Sequence, residues 1–193
     1  PHRHHGAQRE EDDTVTIKIY QCGGNGIGRG YITERKEVVV VKVAMIGHKD
    51  FPSRSGGVEV MVGGLARSLV ERGYDVTVYN RGLEKHHNVY DVDGVHARRV
   101  FTLQKPALNA TIYSFLATFD ALFRGYDVLH YHAIGPSVPL LIAKIFGKHT
   151  VCTVHGLNWK VDKWRGFASR YMKLGERIAA KYADDLVVLS ETE

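Results

Sequence analysis

From residue 42 onward, short apolar runs alternate with stretches whose apolar residues recur every three or four positions. Residues 42–47 (KVAMIG) form a short apolar run before a glycine-bearing loop and predict a first strand. Residues 58–72 place Val58, Met61, Val62, Leu65, Leu69 and Val70 on one helical face, and Gly73 follows where a helix C-terminus favours glycine. Residues 75–80 (DVTVYN) predict a second strand and residues 95–100 a weaker third. Asn109 is placed to cap a helix running to about residue 124, with Gly125 after it. A fourth strand follows at 127–132 (DVLHYH), a short helix at 137–146 ended by Gly147, and a fifth strand at 149–154. Residues 167–182 align Tyr171, Leu174, Ile178 and Tyr182 on a helix, and 185–189 predict a sixth strand. Apolar strands alternating with amphipathic helices imply an α/β fold, a doubly wound parallel sheet covered on both faces.

Residues 1–41 have a different character. They hold a histidine-rich start, an acidic cluster at 10–13, a glycine cluster and a valine run at 38–41. Val15, Ile17 and Ile19 alternate with polar residues, which allows one short strand. The glycines at 23–30 (GGNGIGRG) do not form a dinucleotide fingerprint. After Gly24 and Gly26 the required third glycine is Arg29, after Gly26 and Gly28 it is Tyr31, and no amphipathic helix follows.

The chain has 193 residues, 44% of them hydrophobic, enough for one domain with a real core. The net charge of +5 suits an anionic partner without choosing one. Cys22 and Cys152 stand far apart with no partner at metal-ligand spacing, and no window reads as a membrane span or signal peptide, so a cytoplasmic protein is expected.

In a parallel sheet ligands bind beyond the carboxyl ends of the strands. After the first strand comes 48–57 (HKDFPSRSGG), where Gly56 and Gly57 at a helix start leave backbone N–H groups open to a phosphate or serve a plain turn. His130 and His132 fall on the same face of the fourth strand. One is expected to pack and one to reach the cleft, with no further ligand nearby to complete a metal site. The fifth strand ends in His155-Gly156, placed to hydrogen-bond a ligand or the backbone. Residues 157–166 (LNWKVDKWRG) combine two tryptophans and three cations, either a sugar- or phosphate-binding loop or a solvated basic loop.

Three stretches together resemble family 4 glycosyltransferases of the GT-B type: KVAMIGHKDFPSRSGGVEVMVGGLARSLVERGYDVTVYNR, DVLHYHAIGP and TVHGLNWKVDKWRGFASRYMKLGERIAAKYADDLVVLSE. The likeness covers 42–193 and is greatest to rhamnosyltransferase-like enzymes of bacterial surface polysaccharide synthesis. It implies a Rossmann-like N-terminal, acceptor-side domain. It implies that Gly56, Gly57 and Gly156 line the donor diphosphate, that His155 is the catalytic-centre histidine, and that Arg54, His132, Asn158 and Lys160 lie on the acceptor side. The implied reaction moves a sugar from a nucleotide-sugar donor to a glycan or lipid-linked acceptor with retention. It uses no metal, no cofactor beyond that substrate and no nucleic acid. The family's C-terminal donor domain, with its E-x7-E pair, is not found in these residues, so the fragment alone is expected to be inactive.

Peripheral contact with the inner face of a membrane is expected through Lys160, Lys163, Arg165, Arg170 and Lys173. Two alternatives compete. A nicotinamide-dependent enzyme is disfavoured by the failed glycine spacing and by Tyr79-Asn80, with no acid, closing the second strand. The other is a non-catalytic interaction fragment. Residues 1–41 are expected to be a non-family extension, disordered or a misassigned start: Val41 stands where a GTG start codon fits, and Lys36-Glu37-Val38 suit codons of a ribosome-binding sequence, against a genuine N-terminal extension with one edge strand.

Overall fold

The computed structural model describes residues 40–82, 89–103, 106–155 and 167–189. These lie within one compact unit, Val40–Glu193. The expected strand at 15–19, the glycine cluster and Lys36-Glu37-Val38 lie outside the described residues, whereas Val41 is described and packs against the core.

In chain order the elements are β1 (Lys42–Ile46), α1 (Gly57–Glu71), β2 (Asp75–Gly82), β3 (Val89–Val92), β4 (Val95–Phe101), α2 (Pro106–Leu122), β5 (Val128–His132), α3 (Leu140–Ile145), β6 (His149–Val154), α4 (Phe167–Tyr182) and β7 (Asp185–Val188). The sheet order is β3-β4-β2-β1-β5-β6-β7. All neighbours are parallel except β3 with β4. The order reverses between β1 and β5, so those two carboxyl ends flank the switch point where such sheets bind ligands.

Alternation along the strands divides the core. Val43, Met45, Val76, Val78 and Ala97 pack with Val62 and Ala66 of α1 on one face. Ala44, Ile46, Tyr79, Leu129, Tyr131 and Cys152 pack with Tyr113, Ala117, Ala143 and Ile178 of α2, α3 and α4 on the other. The predicted double winding is therefore present. Cys152 is buried, which pushes its thiol up to about 12 and leaves it a packing residue.

Four expectations are corrected. The antiparallel β3 was not foreseen. It closes on β4 through Asp93-Gly94, both at positive φ (54° and 76°), the paired left-handed turn that matches the twist of a hairpin. The helix assigned to Asn109 begins three residues earlier, at Pro106, where the missing N–H of proline costs nothing. Asn109 instead donates to Leu103 O and accepts from Arg81. The short helix expected from 137 begins at Leu140. The buried face of α4 is Met172, Gly175, Ile178 and Ala179, whereas Leu174 and Tyr182 face outward. Gly175 explains the rotation: a Cβ there would collide with Ile134 O, so this glycine lets the helix backbone meet the β5–α3 loop directly.

Candidate active site

The carboxyl ends of β1, β5 and β6 are drawn together by one close approach. Gly47, at φ 132°, lies against the end of β5 so tightly that a Cβ would overlap His132 O. Only glycine meets both demands, backbone at positive φ and no side chain. On the next strand Ala133 also sits at positive φ (76°), directly after His132, and its N–H donates to Thr153 O. A non-glycine residue in that region marks local strain held by its surroundings.

Four histidines gather at these ends. The rings of His130 and His132 stack with centroids 4.2 Å apart. His130 Nε2 lies 2.8 Å from Thr153 Oγ1, and His132 Nδ1 lies 3.5 Å from His155 Nε2. Both His130 and His132 are buried, and His155, at the end of β6, is half-buried. The expectation of one packed and one cleft histidine therefore becomes two packed rings, with His155 the member that reaches toward solvent. His132 Nε2 is buried with no partner.

His48 completes the group from the β1 end. Its Nε2 pairs at 2.8 Å with Asn80 Oδ1, which only accepts, so Nε2 carries the proton and Nδ1 is a bare acceptor. That Nδ1 is buried and unpartnered. Asn80 Nδ2 donates at 2.7 Å to Phe51 O and at 2.7 Å to Tyr90 Oη, and Tyr90 donates to the same carbonyl. The loop between β1 and α1 is thus pinned to β2 by an amide at its centre. This commitment of Asn80 removes the residue position where a dinucleotide enzyme would carry an acid for the ribose.

Burial keeps three of these rings, His48, His130 and His132, neutral. It lowers His48 to about 4 and His130 to about 4, and it holds His132 well below the usual histidine range, helped by the other three rings. Neutral imidazoles can donate and accept hydrogen bonds at pH 7 without adding charge.

The other expected residues lie elsewhere. Gly56 is the N-cap of α1 in extended backbone, and Gly57 begins the helix with open space at its Cβ position. The buried Glu59 carboxylate folds back under this loop and accepts from Lys49 N at 3.3 Å, so the positive end of α1 already carries an acid. Arg54 lines a groove of about 890 Å³ along α1 with Phe51, Pro52, Glu59, Arg67 and Asp93, a groove that includes none of the histidines. Gly156, Asn158 and Lys160 lie outside the described residues. Among the described residues no group of three or more His, Cys, Asp or Glu is arranged to hold a metal.

Sequence reasoning missed His48, Asn80, Tyr90 and Arg81. The available signal was positional: His48 and Asn80-Arg81 are the residues that end the first two strands. The fold puts those ends side by side.

Residues 55–193 match the Glycosyltransferase Family 4 model. No curated protein sequence matches the chain. Among solved structures, a sucrose-phosphate synthase from Thermosynechococcus elongatus is similar, with a TM-score of 0.60 at 16% identity over 78% of this chain and 42% of that one. The likeness is one of fold, the Rossmann-like arrangement of GT-B enzymes, and the chain spans less than half of the synthase's length.

Proposed function

The chain belongs to glycosyltransferase family 4, and from that premise we propose that it supplies the acceptor-side half of a retaining glycosyltransferase. The donor is a nucleoside diphospho-sugar and the acceptor a glycan or lipid-linked glycan. The setting is bacterial surface polysaccharide synthesis by a hexosyl or rhamnosyl transferase. The observation that carries this reading is the cluster of imidazoles at the switch point, with the buried rings behind and His155 at its open side. Retaining transfer needs groups that stabilise developing charge on sugar and leaving diphosphate more than it needs a strong base. His155, backed by His132, offers a hydrogen bond to the donor sugar.

The Gly56 and Gly57 amides are proposed to approach the donor diphosphate, sharing the α1 terminus with Glu59. Arg54 and His132 are proposed on the acceptor side, and the reaction proceeds without a metal or an added cofactor. No described helix is long and apolar enough to cross a membrane. Contact with the inner membrane face is proposed through cations that include Arg170 and Lys173, both exposed on α4.

The test joins this domain to a family 4 donor domain and follows transfer from a panel of nucleoside diphospho-sugars. His155→Ala is expected to lower the rate at least a hundredfold while leaving the melting temperature within a few degrees. Transfer is expected to persist in EDTA. Wild-type rates in the variant would remove His155 from the mechanism.

A further inference from the structure

Helix α2 turns its polar groups toward the sheet and its apolar ones away from it. The inward side carries Tyr113, Ser114, Ala117, Thr118 and Ala121, all buried. Its hydroxyls have partners: Ser114 Oγ donates to Thr111 O at 2.9 Å, and Thr118 Oγ1 lies 3.0 Å from Tyr131 Oη. The opposite side carries Leu108, Ile112, Phe115, Leu116, Phe119 and, in the turn after the helix, Phe123. Steps of three and four residues link them into one stripe. Leu108, Leu116 and Phe119 are exposed, and Phe123 is 80% exposed. On the neighbouring α3 the last turn ends in Ile145 and Phe146, 75% and 56% exposed. They stand at the same end of the sheet as Phe123. Phe123 leads into β5 and Phe146 into β6, and the first residues of those strands, Val128 and His149, are paired. Helix α4 shows the usual alternative, with Arg170, Lys173, Arg177 and Lys181 exposed. A helix that is apolar on both sides is normally buried on both.

We propose that the outward face of α2, with the end of α3, docks a second copy of this chain across a two-fold axis. Area and charge decide the occupant. With side chains of about 150–250 Å² each, the exposed fractions leave roughly 700 Å² of apolar surface in this patch. The largest apolar patch of an ordinary monomer is about 300–600 Å², and a stable interface takes about 800 Å² from each partner. The patch therefore supplies most of one side of a dimer interface. Its charges are balanced. Helix α2 has no lysine or arginine, and its one acid, Asp120, is held by Arg98 and Arg124. Lys144, next to Ile145, is held by Asp184. An anionic lipid surface or a strongly charged partner gains little from cations and acids that are already paired. A two-fold axis sets this mixed rim against itself without like-charge repulsion and covers both apolar stripes at once. The docking face is separate from the histidine cluster, which lies at the strand ends.

Sedimentation equilibrium of the full chain over a hundredfold range of concentration, at low and high salt, tests this. A reversible monomer–dimer equilibrium is expected, with a constant that changes less than threefold with salt. Phe119→Glu combined with Phe123→Glu places acids in the apolar contact and is expected to weaken dimerisation at least a hundredfold. Both positions are exposed, so the melting temperature should stay within a few degrees. Val60→Glu, exposed on α1 across the sheet, should leave dimerisation unchanged. A chain that stays monomeric throughout, a dimer that persists in the folded double variant, or one that dissociates with salt would overturn the proposal. So would a monomer that floats with neutral or anionic vesicles, which would give the face to lipid. Should the double variant fail to fold, Leu116→Cys at the middle of the stripe, in a Cys22→Ser background, provides the second test. Oxidation is expected to link two copies through that position, and a chain that stays unlinked while dimeric would overturn the assignment equally.

Discussion

The two ends of the sheet use the same residue types in opposite ways. At the amino ends of the strands, His96 pairs with Asp91 and Asp75, His149 Nε2 meets Asp185 at 2.7 Å, Lys144 meets Asp184, and Asp127 accepts from Lys42 N at 2.8 Å. These groups are largely exposed, and each charge has an opposite charge or a backbone group at hand. At the carboxyl ends, among the described residues, His48, His130 and His132 are buried without a carboxylate partner, two ring nitrogens lack partners, and Arg81 has neutral acceptors only. Buried polar groups left incomplete are costly to a fold, whereas solvated pairs are nearly neutral to it. The asymmetry separates the end that ties strands together from the end that is arranged for a ligand.

Glycines give the sharpest way to break this contrast. Gly47→Ala puts a Cβ into His132 O at positive φ and is expected to cost about 3 kcal/mol or more in chemical denaturation. At the amino end Gly125 also has positive φ (72°), but open space surrounds its Cβ position, so Gly125→Ala is expected to cost about 1 kcal/mol. Equal losses would mean the two ends are equally tight.

Acid offers a second contrast. His48 and His130 titrate near 4 in the fold and near 6.5 when unfolded, so the unfolded chain binds more protons between those values. Stability is therefore full above about pH 6.5 and falls as pH drops toward 4, by up to roughly 3 kcal/mol for each histidine. His48→Gln should flatten that slope in denaturation curves taken from pH 7 to pH 4.5. An unchanged slope would show that His48 is not held neutral.

The smallest effect belongs to the amino end. His96→Gln removes an exposed ring with two carboxylate neighbours and is expected to change stability by less than about 1 kcal/mol, and less again at high salt. A larger loss would erase the distinction between the ends.

Much of this was legible in the sequence where one physical signal dominated. The apolar runs at 42–46 and 149–154 have no competing period, and they are strands. The α4 bounds were legible because 167–182 is a periodic stretch, but its face was not. Period alone favoured Leu174, and the packing of Gly175 on Ile134 O turned the helix away from it. Asp93-Gly94 carried a hairpin signal that went unused beside the weak pattern of β3. The histidines at 130, 132 and 155 were visible as strand ends. Their union with His48, Asn80 and Arg81 was not, because it depends on which strands become neighbours, and residues 32 or more apart in the chain meet only through that order.

The most direct measurement of the central claim follows the histidine ring resonances of the full chain while uridine-, guanosine- and thymidine-diphospho-sugars are added in turn. The account predicts that one of these donors shifts His155 and His132 and leaves His96 and His149 in place. Shifts confined to His96 and His149, or no shift at His155 and His132 with any donor, would contradict it.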